Sequence, residues 1–222
     1  MGFGITLALL RKDLRIASRS RAVLGFMLLF ALLCVVVFAF GFLEEGQAAA
    51  AEVPGVLWVT LLFTGTVGLL RLFAAEEEGG TLQLATRTAA GPTPLLFSKA
   101  LLQLLFCGLT LVLVLPIVLV FFDGGFAQPL TALAALALGL IGQSLLGALV
   151  AALLVQVRLR EVLLPLVLYP LLAPLLIAGV RLTALAQTGA LPEAERGWLQ
   201  LMAGYDLLVL AAAPWLHARA VE

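Results

Sequence analysis

The charged residues of this 222-residue chain are few and unevenly placed. Glu76, Glu77 and Glu78 stand together, followed by Gly79-Gly80, Thr81, Leu82, Leu84 and Arg87; the stretch closes on Gly91, Pro92, Pro94 and Lys99. The glycines break the chain after an acidic lead-in, Thr81 can cap a short helix TLQLATRTAA, and Gly91 and the prolines end it. A helix held between such punctuators is suited to docking, with carboxylates for a partner's cations and Leu82, Leu84 and Thr86 as contact positions. Its length exceeds that of an ordinary connection in a helical bundle.

Covalent and metal chemistry is poorly provided for. Cys34 and Cys107 lie in apolar runs, and no CxxC occurs, so both read as small apolar residues. His217 is the single histidine. It is expected past the last span, and it cannot build a nucleophile–base–acid set or a convincing haem or metal site. No GxxxxGK[ST] phosphate loop is present, so any ATP must be hydrolysed by another chain. No catalytic residue, metal ligand or cofactor-binding residue is therefore assigned.

The elements that carry these residues follow from composition. The chain is 63% hydrophobic and 12% charged with no net charge, about half the charge of a soluble domain. That excludes a soluble enzyme or a nucleic-acid binder and indicates an integral membrane protein. Six apolar segments, 22–43, 54–74, 101–122, 130–155, 162–180 and 198–216, are each long enough to cross as helices, forming one all-α domain over 1–222. The first of them is read as a membrane helix rather than a cleavable leader.

Of the thirteen basic residues, eleven fall in the N-terminal arm, the 71–99 region, the 158–160 loop and the C-terminal tail. This bias predicts both termini in the cytoplasm. In the arm, Leu7, Leu10 and Leu14 can share one side of a helix while Arg11, Lys12 and Arg15 turn to headgroups, the pattern of an interfacial helix.

Polar groups inside the spans complete the list. Asp206 falls mid-span, where an acid is costly and faces other helices. Its expected neighbours are Tyr205, Gln103 or Gln143, and its role is a structural node or a part in gating or partner contact. Gly139, Gly142, Ser144, Gly147, Ala148, Ala151 and Ala152, with Gly65 and Gly68, permit close helix packing. Pro165, Pro170 and Pro174 predict a bent or broken fifth span.

These motifs carry a resemblance. The run from Gly55 to Phe106, with Trp58, Arg71, Phe73, Glu76–Glu78, Gly80, Thr81, Leu82, Pro92 or Pro94, and Lys99, resembles the CcmB family, membrane subunits of the bacterial ABC complex for cytochrome c maturation. The later stretch with Arg158, Arg160, Glu161, Leu163, Pro165, Pro170 and Pro174 is similar to the same family. Gln83 departs from it, standing where many members have a glutamate.

The resemblance implies an ABC-2 exporter-like bundle in the bacterial inner membrane. Its coupling residues would be Glu76, Glu77, Glu78, Gly80, Thr81, Leu82, Leu84 and Arg87, with Arg11 and Arg15. The implied partners are a CcmA-like ATPase in a two-plus-two assembly, CcmC-like and CcmD-like proteins and, indirectly, a CcmE-like haem chaperone. ATP enters through the partner, and haem is the possible cargo or the load of the released chaperone. The competing classes are a generic ABC-2 permease for lipid or drug, a secondary transporter, for which Asp206 alone is thin support, and a membrane scaffold.

Overall fold

The computed structural model describes residues 2–20, 22–44, 47–48, 50–74, 76, 93–189 and 192–221. Among these residues the chain forms α1 (Gly2–Ser20), α2 (Ala22–Gly41), α3 (Val53–Leu70), α4 (Thr93–Phe121), α5 (Pro129–Leu154), α6 (Arg160–Thr188) and α7 (Pro192–Val221). Two short antiparallel strands, β1 (Leu43–Glu44) and β2 (Gln47–Ala48), pair Leu43 with Ala48 between α2 and α3. Six helices, α2 to α7, are long and apolar enough to span a bilayer; the chain is a multi-pass membrane protein.

Helix α4 starts at Thr93, earlier than the 101 expected from hydropathy. Pro94 sits in its first turn, where the missing amide hydrogen is not needed, and Leu95, Leu96 and Phe97 extend the apolar pattern backwards. Lys99 therefore lies inside a helix. The fifth segment likewise runs past 180 to Thr188. There Gly189, in the left-handed conformation at φ 72°, ends it and returns its N–H to the Leu185 carbonyl at 3.0 Å.

The three prolines do not break α6, which is continuous. Leu164, Leu168, Leu172, Leu175, Ala178 and Leu182 form an uninterrupted buried stripe, while Pro170 and Pro174 are exposed. The stripe holds the helix against its neighbours. One turn from Pro174, the Tyr205 hydroxyl of α7 donates to the Leu171 carbonyl at 2.8 Å, tying α7 to α6.

Helices α3 and α5 are the inner pair, and α2, α4, α6 and α7 surround them. On α2 the division is plain: Met27, Ala31, Val35 and Ala39 face inward at helical spacing, and Phe26, Leu29, Leu33 and Val37 face out. Packing at the centre depends on glycine. Trp58 of α3 lies between Gly139 and Gly179, where an added β-carbon would come within 2.0 Å and 2.3 Å of the indole. Its Nε1 donates to Thr183 Oγ1 at 3.0 Å, and that hydroxyl donates to the Gly179 carbonyl at 2.7 Å. Gly147 similarly admits Leu69.

Two glutamines hold α3 from opposite neighbours. Gln143 Nε2 of α5 donates to the Leu61 carbonyl at 3.0 Å, and Gln103 Nε2 of α4 donates to the Gly65 carbonyl at 2.8 Å. An amide in lipid must find such a partner, and Gly65 leaves Gln143 room to approach. Gly139→Val and Gly179→Val should each destabilise the bundle by ~1–3 kcal/mol through overpacking. Trp58→Leu should recover part of that loss in the double variants. Unfolding titrations in detergent, run as double-variant cycles, measure both.

Candidate functional site: an ion ring beneath the first helix

Helix α1 divides into lanes. Thr6, Leu10 and Asp13, spaced four and three apart, are buried against the bundle, with Ala17 half-buried in the same lane. Arg11 and Arg15 are exposed. Phe3, Leu7 and Leu14 are exposed too, so of the three leucines expected on the apolar side only Leu10 packs inward. The helix thus has one lane against protein, one exposed apolar lane and one exposed basic lane.

The protein lane delivers Asp13 to Lys99. Lys99 is 1% exposed, and a buried ammonium must be paired. Its Nζ donates to Glu76 Oε2 at 2.6 Å and meets Asp13 Oδ2 at 3.0 Å, the latter a charge contact rather than an aligned hydrogen bond. The Phe73 ring lies 5.6 Å from the same ammonium. Lys12 closes the ring, reaching Asp13 Oδ1 at 3.1 Å and donating a short hydrogen bond to Glu76 Oε1. Four side chains thus alternate in sign, Lys99–Asp13–Lys12–Glu76, with no net charge.

The ring joins three pieces of chain. Asp13 and Lys12 come from α1, Lys99 from the second turn of α4, and Glu76 from the turns that continue α3. Those turns bond Arg71 N–H to the Gly68 carbonyl at 3.1 Å and Glu76 N–H to the Phe73 carbonyl at 3.1 Å. Burial pushes the Glu76 carboxyl up, but the Lys99 charge and the hydrogen bonds from Lys12 and Lys99 outweigh it and hold it below the ordinary glutamate value. Burial pulls Lys12 down, yet the Glu76 hydrogen bond and the Asp13 charge leave it raised.

The CcmB protein family model matches residues 4–222. This chain belongs to the CcmB family. It is 37% identical over 219 residues to heme exporter protein B of Paracoccus denitrificans, covering 97% of both chains. It is 34% identical over 110 residues, half of each chain, to heme exporter protein B of Rhodobacter capsulatus. A probable ABC transporter permease, NosY of Pseudomonas aeruginosa, is 37% identical over 145 residues, 60% of this chain and 50% of that protein.

Of the positions that resemblance to the CcmB family marks as coupling residues, Arg11 and Arg15 are exposed on α1, and Glu76 is buried within the ring. Glu77, Glu78, Gly80, Thr81, Leu82, Leu84 and Arg87 lie outside the described residues. Lys12, expected to turn to headgroups with Arg11 and Arg15, instead reaches Asp13 and Glu76, and Asp13 went unread in the sequence. The available signal was that Asp13 is the one acid in a basic arm and shares a helical face with Thr6 and Leu10.

The intramembrane groups sort differently. Asp206 is buried, and its Oδ1 lies 2.3 Å from where a β-carbon on Gly142 would stand. Among the described residues, neither of its oxygens has a hydrogen-bond partner. Gln103 and Gln143 reach α3 instead of Asp206, and Tyr205 reaches Leu171. His217 is buried within α7 rather than lying beyond the bundle.

Lys99→Met leaves two buried carboxylates short of a cation and should cost ~3–5 kcal/mol. Adding Asp13→Asn and Glu76→Gln should return much of it, as read from detergent unfolding titrations. The depressed Glu76 carboxyl contributes stability that is present above its unfolded value near 4.5 and is lost as pH falls through the lower folded value. A spin label at exposed position 8 should therefore report α1 loosening only in that acidic window, and Glu76→Gln should abolish the acid step.

Proposed function

We propose that this chain is the membrane subunit of an ABC complex in cytochrome c maturation, working with a CcmA-like ATPase. The carrying observation is the ion ring, which fastens α1, the base of the 77–92 insert and the start of α4 together at one end of the bundle. The basic residues of the arm, the 71–99 region and the 158–160 loop favour the cytoplasm for that end, with both termini inside and the chain in the inner membrane. A soluble ATPase docking at that end meets the exposed Arg11–Arg15 lane beside the ring.

Closure of two ATPase subunits then pushes on the insert. The ring passes the displacement to α1 and α4 together, and α4 passes it to α3 through Gln103. Coupling of this kind requires two bundle arrangements that the nucleotide states favour differently. The assembly contains two copies of each subunit and contacts CcmC-like and CcmD-like proteins. A generic ABC-2 permease for lipid or drug is the second reading, and the likeness to NosY is its support.

Release of a haem-loaded chaperone, rather than passage of haem between the helices, suits the filled centre. Trp58, Gln103 and Gln143 occupy the contacts of α3 with its neighbours, and each is buried. Glu77→Lys with Glu78→Lys should abolish most stimulation of the partner ATPase and lower cytochrome c yield while the subunit still inserts and co-purifies with the haem-handling partners. Full stimulation and full yield in that variant would overturn the coupling role. An insert accessible only from the periplasm would overturn the orientation.

A further inference from the structure

A cavity of about 710 Å³ opens between the C-terminal half of α1, the start of α2, the end of α3 and the start of α4. Its wall is apolar: Phe30 of α2, Val67 of α3, and Leu102 and Phe106 of α4, with the exposed Phe26 at its outer lip. Its polar side chains are Asp13, Lys99 and Arg71. Asp13 and Lys99 neutralise one another within the ring. Arg71 is exposed and has no ion-pair partner among the described residues.

The depths of these groups are ordered. Arg71 directly follows the last residue of α3, and Lys99 meets Asp13 of α1, so both stand at the same end of the bundle. Phe26 and Phe30 are one and two turns into α2, and Leu102 and Phe106 are one and two turns past Lys99. A cation at the mouth with a hydrocarbon slot beneath it matches a molecule with an anionic head and an acyl tail. The volume falls in the range of built ligand sites. Water in such a slot is unfavourable, whereas an acyl chain from the surrounding bilayer fills it with apolar contact.

We infer that the elbow between α1 and α2 holds one anionic phospholipid, its phosphate on Arg71 and an acyl chain along Phe26, Phe30, Leu102 and Phe106. Arginine suits the role because its planar fork binds phosphate oxygens in pairs. The site goes beyond the coupling role proposed above and depends only on the chain being embedded in a bilayer. A lipid here wedges the interfacial helix at a fixed height over the bundle, so the occupant is part of the elbow rather than of the bulk leaflet.

The test uses the full-length protein in phosphatidylcholine nanodiscs doped with phosphatidylglycerol carrying an acyl-chain diazirine. After illumination, adducts should concentrate at Phe30, Leu102 and Phe106, the less exposed positions of the slot. Arg71→Gln should reduce them roughly fivefold, the worth of one juxtamembrane cation toward an anionic lipid, and Arg71→Lys should restore much of the labelling. Unlabelled phosphatidylglycerol should compete, and inorganic phosphate should not. A phosphatidylcholine probe should be indifferent to Arg71→Gln. Adducts spread evenly over the outward faces of α2, or labelling unchanged by Arg71→Gln, would overturn the site. Displacement by haem but not by phosphatidylglycerol would replace the lipid with a tetrapyrrole.

Discussion

A single buried ammonium organises the end of this molecule where work is proposed to enter. Lys99 is the one charged residue of the apolar helix α4, and its charge cannot remain there unpaired. Satisfying it requires a carboxylate from α1 and another from the turns after α3. Helix α1 is therefore held by more than its apolar contacts. It is fastened to the bundle through Asp13, and Lys12 closes the ring from the exposed side. Replacing the ring by apolar residues could give equal stability, but it would not tie three separate segments in one register.

The centre of the bundle is built on a different principle. Trp58 is seated between two glycines, and two glutamines grip successive turns of α3, so the inner helices move with their neighbours. Close packing of this kind passes displacement on rather than absorbing it. Together the two regions make a continuous route: the ring joins α1 to α4, Gln103 joins α4 to α3, and Gln143 joins α3 to α5. The exposed prolines of α6 lie off this route, on the outer face.

Much of this was legible in the sequence because lipid leaves few choices. Long apolar runs must be helices, and Gly139, Gly147, Gly65 and Gly68 announced close packing whose occupants only the fold could name. The start of α4 was misplaced because Ser98 and Lys99 look like a loop boundary; Ser98 turns back to the Leu95 carbonyl, and partners distant in sequence let the helix include Lys99. Pro165, Pro170 and Pro174 suggested a break, yet the buried stripe of leucines along α6 holds it continuous against its neighbours. Asp13 was hidden by its neighbours, since an acid among arginines reads as part of a charged flank until Lys99 is seen opposite. The short distance between Asp206 and Gly142 could not be read from spacing, because it depends on how α5 and α7 meet.

The most direct test of force entering through the ring is whether its members travel together. Spin labels at Ala8 on α1, Leu101 on α4 and Val162 on α6, all exposed, can be introduced after replacing Cys34 and Cys107 by alanine. Distances are then measured by double electron–electron resonance in the assembled complex, nucleotide-free and with ATP trapped. The account predicts an unchanged Ala8–Leu101 distance and a shifted Ala8–Val162 distance. An Ala8–Leu101 distance that changes with nucleotide would contradict it.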